Sequence, residues 1–223
     1  MNLSLSFLVA FILLVILSPV FLILSILSII LNGFPIIYKQ KRMGYGNLSF
    51  KIYKFRSMVE NKGAKITDSN DSRLTYWGKL LRKFKLDELP QLWNIIKGDM
   101  SFVGYRPEVP EIVDRFPVFF TFLTNKKPGL TDLSSIIFKN ESELLVMTDS
   151  LEFYTSKILP IKSKLVDIFI DKDSFFFRLI IIKITLISLL NHTMALKLVS
   201  TIIPQNELEL RFSINRLLKV EIF

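Results

Sequence analysis

The chain has no cysteine, which removes disulfide frameworks, thiol nucleophiles and cysteine-ligated zinc together. It has one histidine, His192, set late in the chain among apolar residues. A lone imidazole builds no poly-histidine metal site, and His192 reads as structural. Residues 1–38 carry no charged side chain at all. Any chemistry therefore falls to carboxylates, lysine, arginine and hydroxyls. Disorder is excluded as well, because half of the 223 residues are apolar, 20 are phenylalanine and the mean hydropathy is +0.41.

The charge that is present is crowded. Residues 39–86 hold thirteen Lys or Arg against three acids, a net of +10, whereas the whole chain carries +9. One short stretch supplies the entire excess, so the expected partner is anionic: a lipid headgroup, a phosphorylated substrate or nucleic acid. Phe50, Tyr53, Phe55, Tyr76 and Trp77 could stack bases, but no zinc ligands, RNP-type segment or recognition helix accompanies them, and nucleic acid is set aside.

From Leu3 to Leu31 the sequence is nearly unbroken Leu, Ile, Val and Phe. About 20 such residues suffice to cross a bilayer as a helix. A cleaved signal would need a basic start and a shorter core ending in small residues, and these are missing. A plain span would leave the Lys39, Lys41 and Arg42 cluster, with the chain after it, in the cytoplasm. Ser18-Pro19 sits mid-run, however. Proline removes a backbone donor, and a neighbouring hydroxyl can serve the carbonyl so released, which permits a bend at membrane depth. Composition leaves a kinked span and a helix that turns back equally open.

All eight glycines lie between Gly33 and Gly129, which marks that middle as the functional core. Asn32-Gly33-Phe34-Pro35 breaks the apolar segment. Phe50–Met58 reads as a strand whose period of two sets Lys54 and Arg56 on one face with Ile52, and Asn61–Ser72 as a polar loop. Thr75–Phe84 is expected helical, with Trp77, Leu80, Leu81 and Phe84 as its apolar stripe. It can rest on a membrane surface or pack on the core. Pro90–Lys97, closed by Gly98, is a second helix, and further helices are expected over 108–123, 141–154 and 156–170. Ser174–Leu190 is hydrophobic but interrupted by Arg178 and Lys183, which favours an interfacial or core helix over a second span. Residues 191–223 carry no usable motif.

The densest cluster is Leu86-Asp87-Glu88-Leu89-Pro90-Gln91. Two adjacent carboxylates in a cationic setting can divide phosphate chemistry, one as nucleophile and the other holding a divalent cation. The same dipeptide on a surface would merely form ion pairs. Among the flanking turns, Gly98 and Gly104 could bring backbone N–H groups to an anion. Arg106, fixed before Pro107, offers a rigid fork of donors to a phosphate.

These blocks, in order, carry a resemblance. They are Arg42-Met43-Gly44 with Gly46; Tyr53-Lys54-Phe55-Arg56-Ser57-Met58; and Arg73-Leu74-Thr75 with Gly78, Leu81 and Arg82. Leu86-Asp87-Glu88-Leu89-Pro90-Gln91-Leu92 follows, then Asn94, Lys97-Gly98-Asp99-Met100-Ser101, Val103-Gly104, Arg106-Pro107 and Pro128-Gly129-Leu130-Thr131. The chain resembles the bacterial sugar transferases, monotopic phosphoglycosyl transferases that initiate glycoconjugate assembly, over about residues 1–190.

The resemblance implies an α/β, mostly helical fold. It would comprise a re-entrant membrane helix over 1–35 bent at Ser18 and Pro19, a cytoplasmic catalytic domain over 36–190 with amphipathic interfacial helices, and a C-terminal extension over 191–223. It implies transfer of a sugar 1-phosphate from a UDP-sugar to polyprenyl (undecaprenyl) phosphate, with UMP released and Mg²⁺ as cofactor, at the inner membrane. By position Asp87 would be the covalent nucleophile, Glu88 its metal-associated partner, and Lys54, Arg56, Arg82 and Arg106 the phosphate ligands. Arg82 and Lys85 are expected to keep Asp87 ionised at neutral pH. Two departures stand out. The usual Gly-Pro-Arg-Pro is Gly104-Tyr105-Arg106-Pro107, and Pro128-Gly129-Leu130-Thr131 is followed by Asp132 in place of glycine, a change that costs most where φ is positive. The alternative function is a catalytically weakened membrane scaffold for glycan assembly.

Overall fold

The computed structural model describes residues 3–59, 73–139, 141–144 and 150–223. The loop expected over Asn61–Ser72 lies outside them, as does part of the helix expected over 141–154.

The apolar N-terminus forms two helices, α1 (Leu3–Ile16) and α2 (Ser18–Asn32), bent by 61° at the break between them. Pro19 has no N–H to give the carbonyl four residues back, which is that of Val15. The Ser18 hydroxyl donates to that carbonyl at 2.7 Å, so the bend leaves it satisfied. Both limbs pack on the same body. α1 lies on α4 (Gln91–Ile96) and on β3 (Ser101–Val103), while α2 lies on α3 (Tyr76–Lys83). Their other faces leave Phe11, Val15, Ile16, Leu22, Ile23 and Ile30 exposed. No single helix among the described residues is long and apolar enough to cross a membrane; the bent pair together passes on length and composition.

β1 (Ile37–Met43) and β2 (Ser49–Phe55) form an antiparallel hairpin in which Lys39 faces Tyr53 and Tyr38 faces Lys54. β2 stops three residues before the expected Met58, and its burial does not follow period two. Ile52 faces the main core, whereas Phe55 enters a smaller cluster with Leu24, Trp77 and Leu81. The strand is thus gripped from both faces, and Arg56 just beyond it turns to the end of α2. β3 pairs in parallel with β4 (Gly129–Thr131). Here Gly104 and Gly129 allow two backbones to touch: a Cβ on Gly129 would sit 2.1 Å from the Gly104 nitrogen. These glycines serve strand contact, and the anion-binding turn expected of Gly104 is taken up by that packing.

α3 starts at Thr75, whose hydroxyl accepts from the Gly78 amide at 2.8 Å, a cap worth about 1 kcal/mol. Its expected stripe divides. Trp77 and Leu81 are buried, Leu80 and Phe84 are exposed beside Tyr76, and the Trp77 indole donates to Ser28 of α2 at 2.9 Å. The helix expected over 108–123 is broken at Phe116-Pro117, because proline disfavours helical geometry in the residue before it. The result is α5 (Pro110–Arg115) followed by 3₁₀ turns over Pro117–Thr124. α6 (Leu133–Ile137), α7 (Glu141–Leu144) and α8 (Ser150–Phe153) follow, then a π turn over Tyr154–Ile158 and α9 (Leu159–Lys172).

α10 (Phe175–Leu190) buries Phe177, Ile181, Ile184 and Ser188 on the core, and Arg178 is paired with Asp173 at 2.6 Å. α11 (His192–Ile202) and α12 (Leu208–Leu218) join the same core through Ala195, Leu196, Val199, Leu210 and Ile214. The His192 Nε2 lies 2.9 Å from the Ile136 carbonyl, a structural placement.

Candidate active site

The chain leaves α3 through Lys85, which adopts a left-handed backbone (φ 57°) uncommon for a residue with a Cβ. Its amide donates to the Arg82 carbonyl (3.1 Å) and its carbonyl accepts from the Glu88 amide (3.2 Å). That reversal produces one 3₁₀ turn, Leu86–Glu88, which runs into Pro90 and α4. Leu86 and Leu89 anchor the turn against the smaller apolar cluster, and between them Asp87 and Glu88 are both buried, 5 % and 7 % exposed. The surface ion-pair reading of this dipeptide is thereby removed.

Two cations from distant parts of the chain meet on Glu88. Lys54 Nζ, from β2, and the Arg106 guanidinium, from the segment after β3, each donate to Glu88 Oε1 at 2.8 Å. Burial works against a charged Glu88, but Arg106, Lys54 and Lys85 together outweigh it and hold the carboxyl well below the usual glutamate range. Burial likewise pushes Lys54 down, offset in part by Glu88, while Glu88 holds Arg106 firmly charged. Both donors use the same oxygen, so the bridge does not engage Oε2.

Asp87 behaves differently. Its Oδ1 is buried with no hydrogen-bond partner. Burial pushes its carboxyl above the usual aspartate range, and Lys54, Arg82 and Lys85 only partly oppose that. Arg82 and Lys85 act on Asp87 in the expected sense, favouring its ionised form, while desolvation is the larger effect and moves the carboxyl the other way. The adjacent acids have been driven apart, Glu88 held well below its usual range and Asp87 pushed above its own, as occurs where two carboxyls take different roles.

The other expected ligands are placed as follows. Arg82 Nε donates to the Ser57 hydroxyl at 2.9 Å, on the flank of the turn. Arg56 is committed elsewhere. Its guanidinium donates to the carbonyls of Asn32 and Gly33 (the latter 2.8 Å), where a cation complements the carbonyl end of α2. It is not hydrogen-bonded into the Glu88 cluster.

The sequence did not reveal what supports this site. Asp132 is extended (φ −157°), so no glycine is needed there. Its side chain caps α6, accepting from the Ser135 amide at 2.7 Å and from the Ser134 hydroxyl, and it also accepts the Arg106 amide at 3.3 Å. The pattern Asp132-x-x-Ser135 is a capping-box spacing that could have been read. Tyr105 packs 2 % exposed, with its ring 4.8 Å from that of Phe122 and its hydroxyl unpartnered. Asn94, fully buried, ties α4 to β2. It donates to the Lys51 carbonyl (2.7 Å) and accepts from the Tyr53 amide (3.1 Å).

Among the described residues no group of three or more His, Asp or Glu side chains forms a metal cage. The donor set here, an unpartnered Asp87 oxygen beside Glu88, instead suits Mg²⁺. That ion is commonly held by one or two carboxylates and completed by substrate phosphates and water.

The chain matches the family model for bacterial sugar transferases over residues 1–192. It is 39% identical over 126 residues to the UDP-N-acetylgalactosamine-undecaprenyl-phosphate N-acetylgalactosaminephosphotransferase of Aeromonas hydrophila, covering 54% of this chain and 30% of that protein. It is 42% identical over 116 residues to a putative undecaprenyl-phosphate N-acetylgalactosaminyl 1-phosphate transferase of Bacillus subtilis, covering 51% and 61%. With the exopolysaccharide production protein ExoY of Rhizobium meliloti the identity is 36% over 157 residues, covering 62% and 69%. The chain thus spans between about a third and two thirds of the length of these relatives. On the extent of the family match, this chain belongs to the bacterial sugar transferase family.

Proposed function

We propose that this protein transfers a sugar 1-phosphate from a UDP-sugar to a polyprenyl phosphate, releasing UMP, at the cytoplasmic surface of a membrane. The observation that carries the reading is the divided pair: Glu88 neutralised by Lys54 and Arg106, Asp87 buried beside it with a free oxygen. In this scheme an ionised Asp87 oxygen attacks the β-phosphorus of the UDP-sugar. The phosphoanhydride bond breaks, UMP departs with the electron pair, and the sugar phosphate remains as an acyl phosphate on Asp87. An oxygen of the polyprenyl phosphate then attacks that phosphorus, and the P–O bond to Asp87 breaks to restore the carboxylate. Lys54, Arg82 and Arg106 supply fixed positive charge to the phosphoryl oxygens. Glu88, with Asp87, would hold Mg²⁺, which when bound offsets the negative charge of the diphosphate.

The relatives named for undecaprenyl phosphate support the choice of acceptor. The bent apolar pair supports the site of action. Both limbs rest on the catalytic body, which favours a re-entrant helix entering and leaving one leaflet, and the Lys39, Lys41 and Arg42 cluster favours the cytoplasmic side. The intact Asp87–Glu88 arrangement counts against a catalytically weakened scaffold. Radiolabel transfer from a panel of UDP-sugars into organic-extractable lipid tests the proposal. Product with one sugar under Mg²⁺ is expected, and no product with any sugar refutes it.

A further inference from the structure

An apolar pocket of about 180 Å³ is lined by Leu14, Phe21, Ile37, Tyr53, Pro90 and Trp93. Its walls come from three sources. Leu14 and Phe21 flank the bend between α1 and α2, Ile37 and Tyr53 share one face of the β1–β2 hairpin, and Pro90 and Trp93 belong to the turn and helix that follow Glu88. It is too small and too apolar for a nucleotide sugar, since pockets for drug-sized ligands run to several hundred Å³ and carry polar groups. A branched hydrocarbon segment suits it.

The rim is cationic. Lys39 Nζ and Lys97 Nζ lie 5.9 and 5.8 Å from the centre of the Tyr53 ring, so an apolar cleft carries positive charge at its edge. That combination fits an amphiphile with an anionic head. Two features specify which one. The pocket opens between the limbs of the bent apolar pair, where a lipid tail is at hand, and Pro90 forms a wall only two residues from Glu88. A bilayer phospholipid has no need of that proximity, whereas the reacting lipid does.

Resting on the reading proposed above, we infer that this pocket seats the isoprenoid segment of the polyprenyl phosphate nearest its phosphate. It makes the bend at Ser18-Pro19 part of acceptor binding as well as of anchoring. The break in the helix sets Leu14 and Phe21 on either side of the cleft.

The test uses the full chain in lipid nanodiscs with undecaprenyl phosphate as acceptor. Leu14→Phe fills the pocket, and Trp93→Ala removes an exposed wall with little demand on folding. Each is expected to lower kcat/KM for undecaprenyl phosphate about tenfold, the order that one methylene in an apolar pocket can command. The kcat/KM for the UDP-sugar should hold, because in a double-displacement scheme it reports only the first half-reaction. An unchanged lipid kcat/KM in a folded variant overturns the pocket assignment. So does a donor kcat/KM that falls in parallel. A diazirine-bearing prenyl phosphate on the unmutated protein provides the direct measurement. Adducts at Tyr53 or Trp93 support the assignment. Adducts confined to other positions, or labelling of this pocket only by a diazirine phosphatidylglycerol, overturn it. Absence of any lipid product from the unmutated protein would refute instead the transferase reading on which the assignment rests.

Discussion

In the proposed mechanism the Asp87 side chain is both buried and ionised when it attacks. Its raised carboxyl pKa means that the charged form costs stability in the fold. The contribution of Asp87 to stability is therefore present at acid pH and lost as pH rises through its folded value. Asp87→Asn should abolish transfer yet raise the melting temperature at neutral pH, with the gain shrinking as pH falls through the folded value and gone by about pH 4, the ordinary aspartate pKa. Thermal melts of both proteins across pH check this, and a destabilised Asn variant would contradict it. The same shift predicts an acid limb in the pH profile of UMP release lying above the ordinary aspartate range.

Glu88 has the opposite sign. Its lowered pKa contributes stability above the ordinary glutamate value, and that contribution is lost as pH falls through the folded one. Glu88→Gln leaves Lys54 and Arg106 facing each other without a counter-charge. A loss of about 3 kcal/mol is expected by denaturant unfolding, together with most of the rate. Tyr105 offers a contrast. Its hydroxyl is buried without a partner, so Tyr105→Phe should be neutral or stabilising by about 1 kcal/mol and leave transfer intact.

Among the elements, α3 and the N-terminal pair show what spacing can and cannot convey. The bend at Ser18-Pro19 was readable because proline's missing donor is a local fact, and the hydroxyl that serves Val15 is adjacent. The division of the α3 stripe was not. Leu80 and Leu81 are alike in sequence, and only the position of α2 decides that Leu81 and Trp77 are covered. Gly78 carries a similar lesson: a Cβ there would lie 1.9 Å from the Ser57 carbonyl oxygen. Gly78→Ala should cost about 2–3 kcal/mol and displace Ser57, the partner of Arg82. A melting curve unchanged by this substitution would contradict the packing of α3 on Ser57. Cysteine labelling tests the bend itself, aided by a chain with no cysteine of its own. A probe cysteine at Asn2 should stay inaccessible from the periplasmic side, and Pro19→Ala should shift a fraction of molecules toward access.

For the whole molecule, the Asp87–Glu88 pair was legible as a motif and its electrostatics were not. Asp87-Glu88 announces itself by adjacency, but which acid stays charged depends on Lys54 and Arg106, each many residues away, converging on one oxygen of Glu88. Arg56, with the same motif standing as Lys54, was diverted to the end of α2 by a contact between strand and N-terminal helix that no spacing encodes. Asp132 looked like a loss of glycine, yet it restrains the Arg106 backbone because its φ is extended. The terminal helices α11 and α12 gave no motif, and they nonetheless complete the core that holds α6 beneath the site.

The central claim is that Asp87 carries the sugar phosphate between donor and acceptor, and a single incubation tests it most directly. The protein is mixed with its UDP-sugar and Mg²⁺ in the absence of any polyprenyl phosphate, and UMP release is followed on the timescale of one turnover. The account predicts a burst approaching one UMP per enzyme, with a sugar-phosphate adduct that maps to Asp87 and disappears when undecaprenyl phosphate is added. A preparation that transfers sugar phosphate to lipid yet shows neither burst nor adduct would contradict it, leaving direct attack by the lipid phosphate as the route.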